Sequence, residues 1–265
     1  MSRNPTTRRA FFAALLLLGS AASTAAGAAC AQRQQAPAEG GALGSELSLL
    51  SWNIQKLSNA GWDRDLRALA ADSELVMLQE AVLDGGIAAL LPGTMDRAFA
   101  PGYIAGSDTT GVMTLGAAAP SRDCQFAAME PWLRTPKAAL VTEYALDGRA
   151  DSLLAINLHG VNFSFGVSAL EAQLAELAGL LAEHEGPAVV AGDLNTWSAS
   201  RQRLVDQFMR EHGLNPVRFE PDHRSRPLGR ALDHIYLRGL RATAAEVVPV
   251  GSSDHNPLRV QLAVE

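Results

Sequence analysis

A chain of 265 residues, 48% hydrophobic and with a mean hydropathy of +0.04, has the length and apolar content for one folded domain with a substantial core. Disordered and fibrous classes are thereby excluded, and no internal repeat is visible. A net charge of −6 excludes a protein that holds nucleic acid through a generally basic surface. It leaves open a phosphate-handling enzyme whose local field comes from a bound metal.

The N-terminus reads as an export signal. Arg8 and Arg9 precede an apolar run from Phe11 to Leu18, and small residues follow, with Ala29-Cys30-Ala31 as an A-x-A cleavage site before Gln32. The run is too short to span a bilayer by itself. The twin arginines fit a twin-arginine or a general secretory signal, so the expected location is the periplasm or outside the cell. Cys30 offers an alternative as a lipidated first residue, although Gly27 departs from a lipobox. Loss of residues 1–31 removes three arginines and no acid, moving the net charge from −6 to −9. Cys124 would then stand alone, with no internal disulfide. If Cys30 stays on the chain a bond between the two becomes open, at an end not expected to hold one.

Residues 32–45, rich in Gln, Ala, Pro and Gly, read as a flexible linker to a domain over 46–265. Strands are predicted over 46–54 and 75–80, with a short helix over 63–72 between them. Residues 138–146 and 152–160 read as paired strands joined at Asp147-Gly148. Leu170, Leu174, Leu177, Leu180 and Leu181 mark an amphipathic helix with Ser168 as its N-cap and Glu171 completing a capping box. Gly186-Pro187 stops it. A strand ending at Asp193, a helix over 200–212, a basic loop at 222–230 and strands near 231–238, 244–250 and 258–264 follow. Hairpins mixed with crossovers predict a mixed α/β sandwich rather than a doubly wound parallel sheet.

Several predicted strand ends finish in metal-ligand or acid–base residue types: Asn53, Glu80, then Asn157 with His159, Asp193 with Asn195, Asp233, and Asp254 with His255. Taken singly, each has a plain structural reading as a turn cap or solvated end. Together, Glu80, Asp193, Asp233 and Asp254 would repel one another strongly without a cation. Oxygen donors of this kind suit Mg²⁺, Mn²⁺ or Ca²⁺ rather than a thiol-selective metal. His184 and His212 sit at predicted helix ends, where a cation suits the dipole. His234 should point away from Asp233. His223, Arg224, Arg226 and Arg230 form either a solvated loop or a phosphate-binding rim. Trp52, Trp197 and Tyr236 read as core or site-wall residues rather than a base-stacking platform.

In order, S-W-N-I, L-Q-E, N-L-H, G-D-L-N, L-D-H-I and S-D-H-N-P-L resemble the motif series of the endonuclease/exonuclease/phosphatase superfamily. The resemblance spans roughly 46–265. Stretches such as T-P-K-A-A-L-V-T-E-Y and H-E-G-P-A-V-V-A-G-D-L-N resemble its bacterial YafD-like group. Gln55 stands where some nucleases of the superfamily carry an acid, and Arg230 lies three before Asp233 rather than in an R-I-D-Y register. Both departures bear on substrate more than on mechanism.

The resemblance implies a four-layered α/β sandwich with two central mixed β-sheets flanked by helices. It implies hydrolysis of a phosphate ester by metal-assisted in-line attack of water, with Mg²⁺ or Mn²⁺ as cofactor and one or two ions. Asn53, Glu80 and Asp254 resemble metal ligands. His255 resembles the base, oriented by Asp233, with Asp193 as the alternative base beside Asn195. His159 resembles the phosphate-side donor, steadied by Asn157. Asn162, Lys137 and Arg230 are weaker candidates for substrate contact. A phosphodiesterase or nuclease is the leading reading. A phospholipid or small-molecule phosphodiesterase is the alternative, and a non-catalytic binding domain the third. Sphingomyelinase-type enzymes would call for an exposed aromatic hairpin; at 6% aromatics, with no cluster along the chain, other substrates are favoured. No stable protein partner is implied and a monomer is expected.

Overall fold

The computed structural model describes residues 29–32, 41–91, 93 and 95–265. The export signal read over 1–31 lies outside these up to residue 28. In chain order come β1 (Ala29–Gln32), β2 (Glu46–Asn53), a 3-10 turn (Gln55–Leu57), α1 (Trp62–Leu69) and β3 (Leu75–Val82). Then follow α2 (Ile87–Leu90), β4 (Asp96–Ala105), β5 (Asp108–Gly116), β6 (Arg122–Met129), β7 (Pro136–Ala145) and β8 (Ser152–Leu158). The last third holds α3 (Ser168–Glu183), β9 (Ala188–Asp193), α4 (Ala199–Glu211), β10 (Asn215–Pro216), β11 (Asp233–Arg238), β12 (Leu240–Val247) and β13 (Leu258–Val264).

The strands form two mixed sheets. One has the order β1-β6-β7-β8-β9-β11-β10, the other β12-β13-β2-β3-β5-β4. β2 with β3 and β8 with β9 are parallel; the other paired strands are antiparallel. Alternation along the strands explains the layering. Leu47, Leu49, Leu75, Met77, Val189 and Ile235 meet in a core between the sheets. Their sequence neighbours face outward. Leu50, Trp52, Val76 and Leu78 pack under α1 and α2, while Ile156, Val190 and Tyr236 pack under α3 and α4. Helix, sheet, sheet and helix make the four layers.

Four details differ from the sequence reading. Leu43, within the stretch read as linker, is buried in the inter-sheet core and bridges Leu146, because its side chain completes the apolar edge there. Cys30 is disulfide-bonded to Cys124, and β1 pairs antiparallel with β6, so neither cysteine is a free thiol. The Ser168–Glu171 capping box is not formed: Val167 is the N-cap and its carbonyl accepts from the Glu171 amide at 2.8 Å. The strand read near 244–250 instead runs Leu240–Val247, in register with β13 across a bulge.

Candidate active site

Strand parity carries a polar set to one end of the inter-sheet face. On β9, Val189 and Ala191 face the inter-sheet core, so Asp193 does too; on β11 the same holds for Ile235 and hence Asp233. Asp193 and Asp233 are direct register partners. Asn53 ends β2 with the parity of Leu47 and Leu49. Gly192 explains the glycine of G-D-L-N: its φ is +142°, and an added Cβ would lie 2.1 Å from the Leu158 carbonyl oxygen.

Glu80 reaches the site differently. Gln79 has the inward parity on β3, so Glu80 should face away. A register shift between Leu78 and Ala81, with Glu80 at φ +53°, turns its carboxylate into the cleft. There Lys56 Nζ lies 3.2 Å from Oε2 and Lys137 Nζ 4.0 Å from Oε1.

The loop after β12 delivers the last two residues. Trp52 Nε1 donates to the His255 carbonyl at 2.9 Å and Ser253 Oγ donates to the Asn53 carbonyl at 2.7 Å, fastening the loop to the end of β2. His255 Nδ1 lies 2.8 Å from Asp233 Oδ2, and its Nε2 3.8 Å from Asp193 Oδ2. Asp254 is exposed at the cleft mouth, its amide donating to Gln55 Oε1 at 3.1 Å. Adjacent residues thus aim at different depths of one cleft.

Electrostatics separates the two partners. Burial by itself would lower the pKa of His255, but the Asp233 and Asp193 charges, the Asp233 hydrogen bond and Asp254 outweigh it and hold the imidazole well above its usual range. Burial pushes Asp193 up; His255 opposes this, Asp233 adds to it, and hydrogen bonds from the Asn195 amide (3.0 Å) and Asn53 Nδ2 (3.1 Å) restrain it. His159 is held neutral, well below its usual range, by burial and then by Lys137, His255 and Lys56. Its Nε2 lies 3.0 Å from Lys137 Nζ and 3.5 Å from Asp193 Oδ2. A neutral His159 can accept at Nε2 from Lys137.

The cleft, about 880 Å³, is lined by Asn53, Glu80, Lys137, His159, Asp193 and His255, with Asn162, Asn195 and Asp254 also on its walls. Asn162 Oδ1 accepts from Trp197 Nε1 at 3.0 Å, and Asn195, at φ +51°, donates to the Gly160 carbonyl at 3.0 Å. Two sequence candidates are placed elsewhere. Asn157 has the inward parity but lies too deep. Its carboxamide donates to the Leu78 and Met113 carbonyls and accepts from Gln79 Nε2 at 2.7 Å, clipping the two sheets together. Arg230 lines a separate hollow beside Arg224 and His234; Arg226 of the same loop lines both that hollow and the cleft.

Two residues absent from the sequence reading support the site. Glu130, 1% exposed, accepts from the Asn162 amide at 3.0 Å and from Thr135 Oγ1, and lies 3.9 Å from Lys137 Nζ. Arg201 is fully buried and donates to the carbonyls of Asn195 (2.7 Å) and Val161, with Ser164 Oγ at 3.3 Å. No local pattern around either residue signals these long-range partners.

Among the described residues, Asp193, Asp233 and His255 bring potential ligand atoms within 4.8 Å of one another. Glu80, Asp254 and the Asn53 amide oxygen add hard oxygen donors to the same cleft, a set that fits a divalent cation.

A two-sheet sandwich flanked by helices, with a carboxylate-rich cleft at one sheet end, is the architecture of the endonuclease/exonuclease/phosphatase fold. The chain belongs to the endonuclease/exonuclease/phosphatase family, whose model matches residues 50–255. Members generally hydrolyse phosphate esters, include nucleases and phosphatases, and usually depend on a divalent metal. A UPF0294 protein of Vibrio vulnificus (strain YJ016) is 40% identical over 221 residues, covering 82% of this chain and 77% of that protein. The UPF0294 relatives agree with the YafD-like resemblance. The endonuclease/exonuclease/phosphatase of Beutenbergia cavernae DSM 12333 shares the fold at a TM-score of 0.62 and 16% identity, over 83% of this chain and 72% of that one. The catalytic domain of human Nocturnin with bound sulfate does so at 0.63 and 17%, over 85% and 97%.

Proposed function

We propose that the protein is an exported phosphodiesterase dependent on Mg²⁺ or Mn²⁺. The carrying observation is the line Asp233–His255–Asp193, whose open end faces the cleft beside Glu80, Asn53 and Asp254. Glu80, Asp254 and Asn53 would hold the cation. A cation held there would supply neutralisation of phosphate charge and Lewis-acid activation of the attacking water.

Asp233 fixes His255 with its Nδ1–H inward and its Nε2 toward the cleft. The three carboxylates around His255 favour the imidazolium, which suits holding a proton for the leaving group or a non-bridging oxygen. Asp193, pushed up by burial and fixed by two hydrogen bonds, suits accepting a proton from water. This division favours Asp193, the alternative base of the sequence reading, over His255. Lys137, steadied by Glu130 and His159, suits a phosphate oxygen. Export is supported by the Cys30–Cys124 bond, since disulfides persist in oxidising compartments.

The test is hydrolysis of DNA, RNA, phospholipid and small phosphodiesters by the purified chain in Mg²⁺, Mn²⁺ or EDTA. Activity with metal that EDTA abolishes is expected. Equal rates in EDTA and Mg²⁺ on the responding substrate would sink the proposal.

A further inference from the structure

The eight exposed large hydrophobic residues among those described all belong to four segments that also wall the cleft. Tyr103 (43% exposed) and Ile104 lie at the end of β4, next to its turn into β5. Met129, Trp132 and Leu133 lie at the end of β6 and in the loop to β7. Phe163 and Phe165 (80%) lie in the loop after β8, and Leu228 in the 222–230 loop. Tyr103, Leu133, Phe163 and Pro227 reach the cleft wall itself. Three of the segments adjoin one another: the Trp132 and Phe165 rings meet edge-on with centroids 4.1 Å apart, and a Cβ on Gly102 would lie 3.2 Å from the Pro136 carbonyl oxygen. The fourth, with Leu228, reaches the cleft wall through Arg226 and Pro227. Apolar residues scattered singly over a surface need no explanation; a group of them on segments that wall one opening does.

From this rim we infer that the substrate is a phosphate ester carried in a lipid surface, and that the rim enters that surface. The inference rests on the phosphodiesterase reading above and names its substrate class. A bilayer places phosphate esters directly against an apolar layer. The protein has the matching strata: an apolar rim outermost, then a polar, carboxylate-rich cleft. Trp132 and Tyr103 are the ring types enriched at such boundaries, and Arg134, exposed beside Leu133, suits an anionic head group.

A nucleic acid would ask for a track of free cations. The cleft has Lys56, Lys137 and Arg226 against Glu80, Glu130, Asp193 and Asp254, and each cation lies beside an acid. Base stacking would use open ring faces, whereas Ile104, Met129, Leu133 and Leu228 are not aromatic.

The test uses the disulfide-bonded chain with vesicles of phosphatidylethanolamine and phosphatidylglycerol at a ratio of about 4:1. Three quantities are read: co-sedimentation, release of phosphate ester from the lipid in Mg²⁺, and hydrolysis of bis(p-nitrophenyl) phosphate in solution. Wild type should bind and cleave the vesicles. The double variant Trp132→Ser/Phe165→Ser should lose vesicle binding and lipid hydrolysis by at least about tenfold, given the transfer energy of two rings. Its rate on the soluble ester and its melting temperature should stay unchanged. Ile104→Ser/Leu228→Ser provides an independent second arm with the same expectation. The inference is overturned if wild type hydrolyses the soluble ester but ignores vesicles, or if both double variants bind vesicles like wild type. It is equally overturned if the variants lose single-stranded DNA cleavage instead. Vesicle binding that depends on Trp132, with no ester hydrolysed in any metal, would leave the surface standing and remove the phosphodiesterase reading.

Discussion

Asp193 and Asp233 stand opposite each other across the paired ends of β9 and β11, and His255 lies against both, 2.8 Å from Asp233 and 3.8 Å from Asp193. Two carboxylates on adjacent strands in a buried place repel, and the imidazolium between them relieves that repulsion. One residue of the pair is then tied to the imidazole while the other is left facing the cleft.

The pH profile should follow from that division. Asp193 has a raised pKa and must be ionised to accept a proton; His255 has a raised pKa and must be protonated to donate one. The rate should therefore rise with pH through a limb above the usual aspartate range. It should fall again only above the usual histidine value of about 6.5. His255→Ala should lower turnover by about 10²–10⁴-fold and remove the alkaline limb. Asp233→Asn should move that limb toward lower pH. Turnover measured from acid to alkaline pH for the three proteins decides it, and an unchanged alkaline limb in His255→Ala would contradict the assignment.

Metal dependence should divide along the chain differently. Glu80→Gln and Asp254→Ala each remove a negative oxygen donor and should raise the Mg²⁺ needed for half-maximal activity by at least about tenfold. His255→Ala should leave that concentration nearly unchanged. Thermal stabilisation by Mg²⁺ gives a readout independent of catalysis and should shrink in the first two variants only.

His234 should make stability fall in mild acid. Its ring is buried on the outer face of β11, where Arg224 Nη1 donates to Nδ1 at 3.2 Å and Thr196 Oγ1 lies 2.7 Å from Nε2. Burial first, and then Arg224, lower its pKa to about 4, with Asp233 opposing. Below about pH 6.5 the unfolded chain binds a proton that the folded chain refuses. Stability is thus fully present above 6.5 and is lost as pH falls toward 4, by an amount of the order of 3 kcal/mol. Urea unfolding at pH 7 and pH 5 should show a smaller difference for His234→Gln than for wild type.

Maturation should spare Cys30. Cleavage after Ala31 would remove half of the bond that joins β1 to β6. Ala26-Gly27-Ala28 supplies another A-x-A upstream. Mass spectrometry of exported protein should find a mature chain beginning before Cys30, lighter by about 2 Da than its reduced form. A chain beginning at Gln32 would exclude it.

Alternation alone made much of the site legible. Asn53, Asp193 and Asp233 follow strand parity from buried leucine and valine runs, and the hairpin 138–160 and the helix under Leu170–Leu181 stand where periodicity put them. Glu80 escapes parity, because a bulge with a left-handed residue turns it in, and no residue type near it demands that. Asn157 obeys parity yet sits below the cleft floor; depth along a strand is not written in alternation. The strands between 96 and 129 are rich in Ala, Gly and Pro and gain their shape from pairing rather than propensity. The exposed apolar residues beside the cleft are spread from Tyr103 to Leu228 in sequence, so no cluster along the chain announces them and only the fold brings their segments to the cleft.

The clip between Gln79 and Asn157 joins the two sheets just beneath the cleft, and each sheet owns half of the chemistry: Asn53 and Glu80 on one, Asp193 and Asp233 on the other. Neither sheet alone holds a competent half-site. Catalysis is therefore a reporter of docking between the two halves of the molecule. A partly folded chain with both sheets formed but apart would hold its ligand and acid–base groups in two separate, incomplete sets.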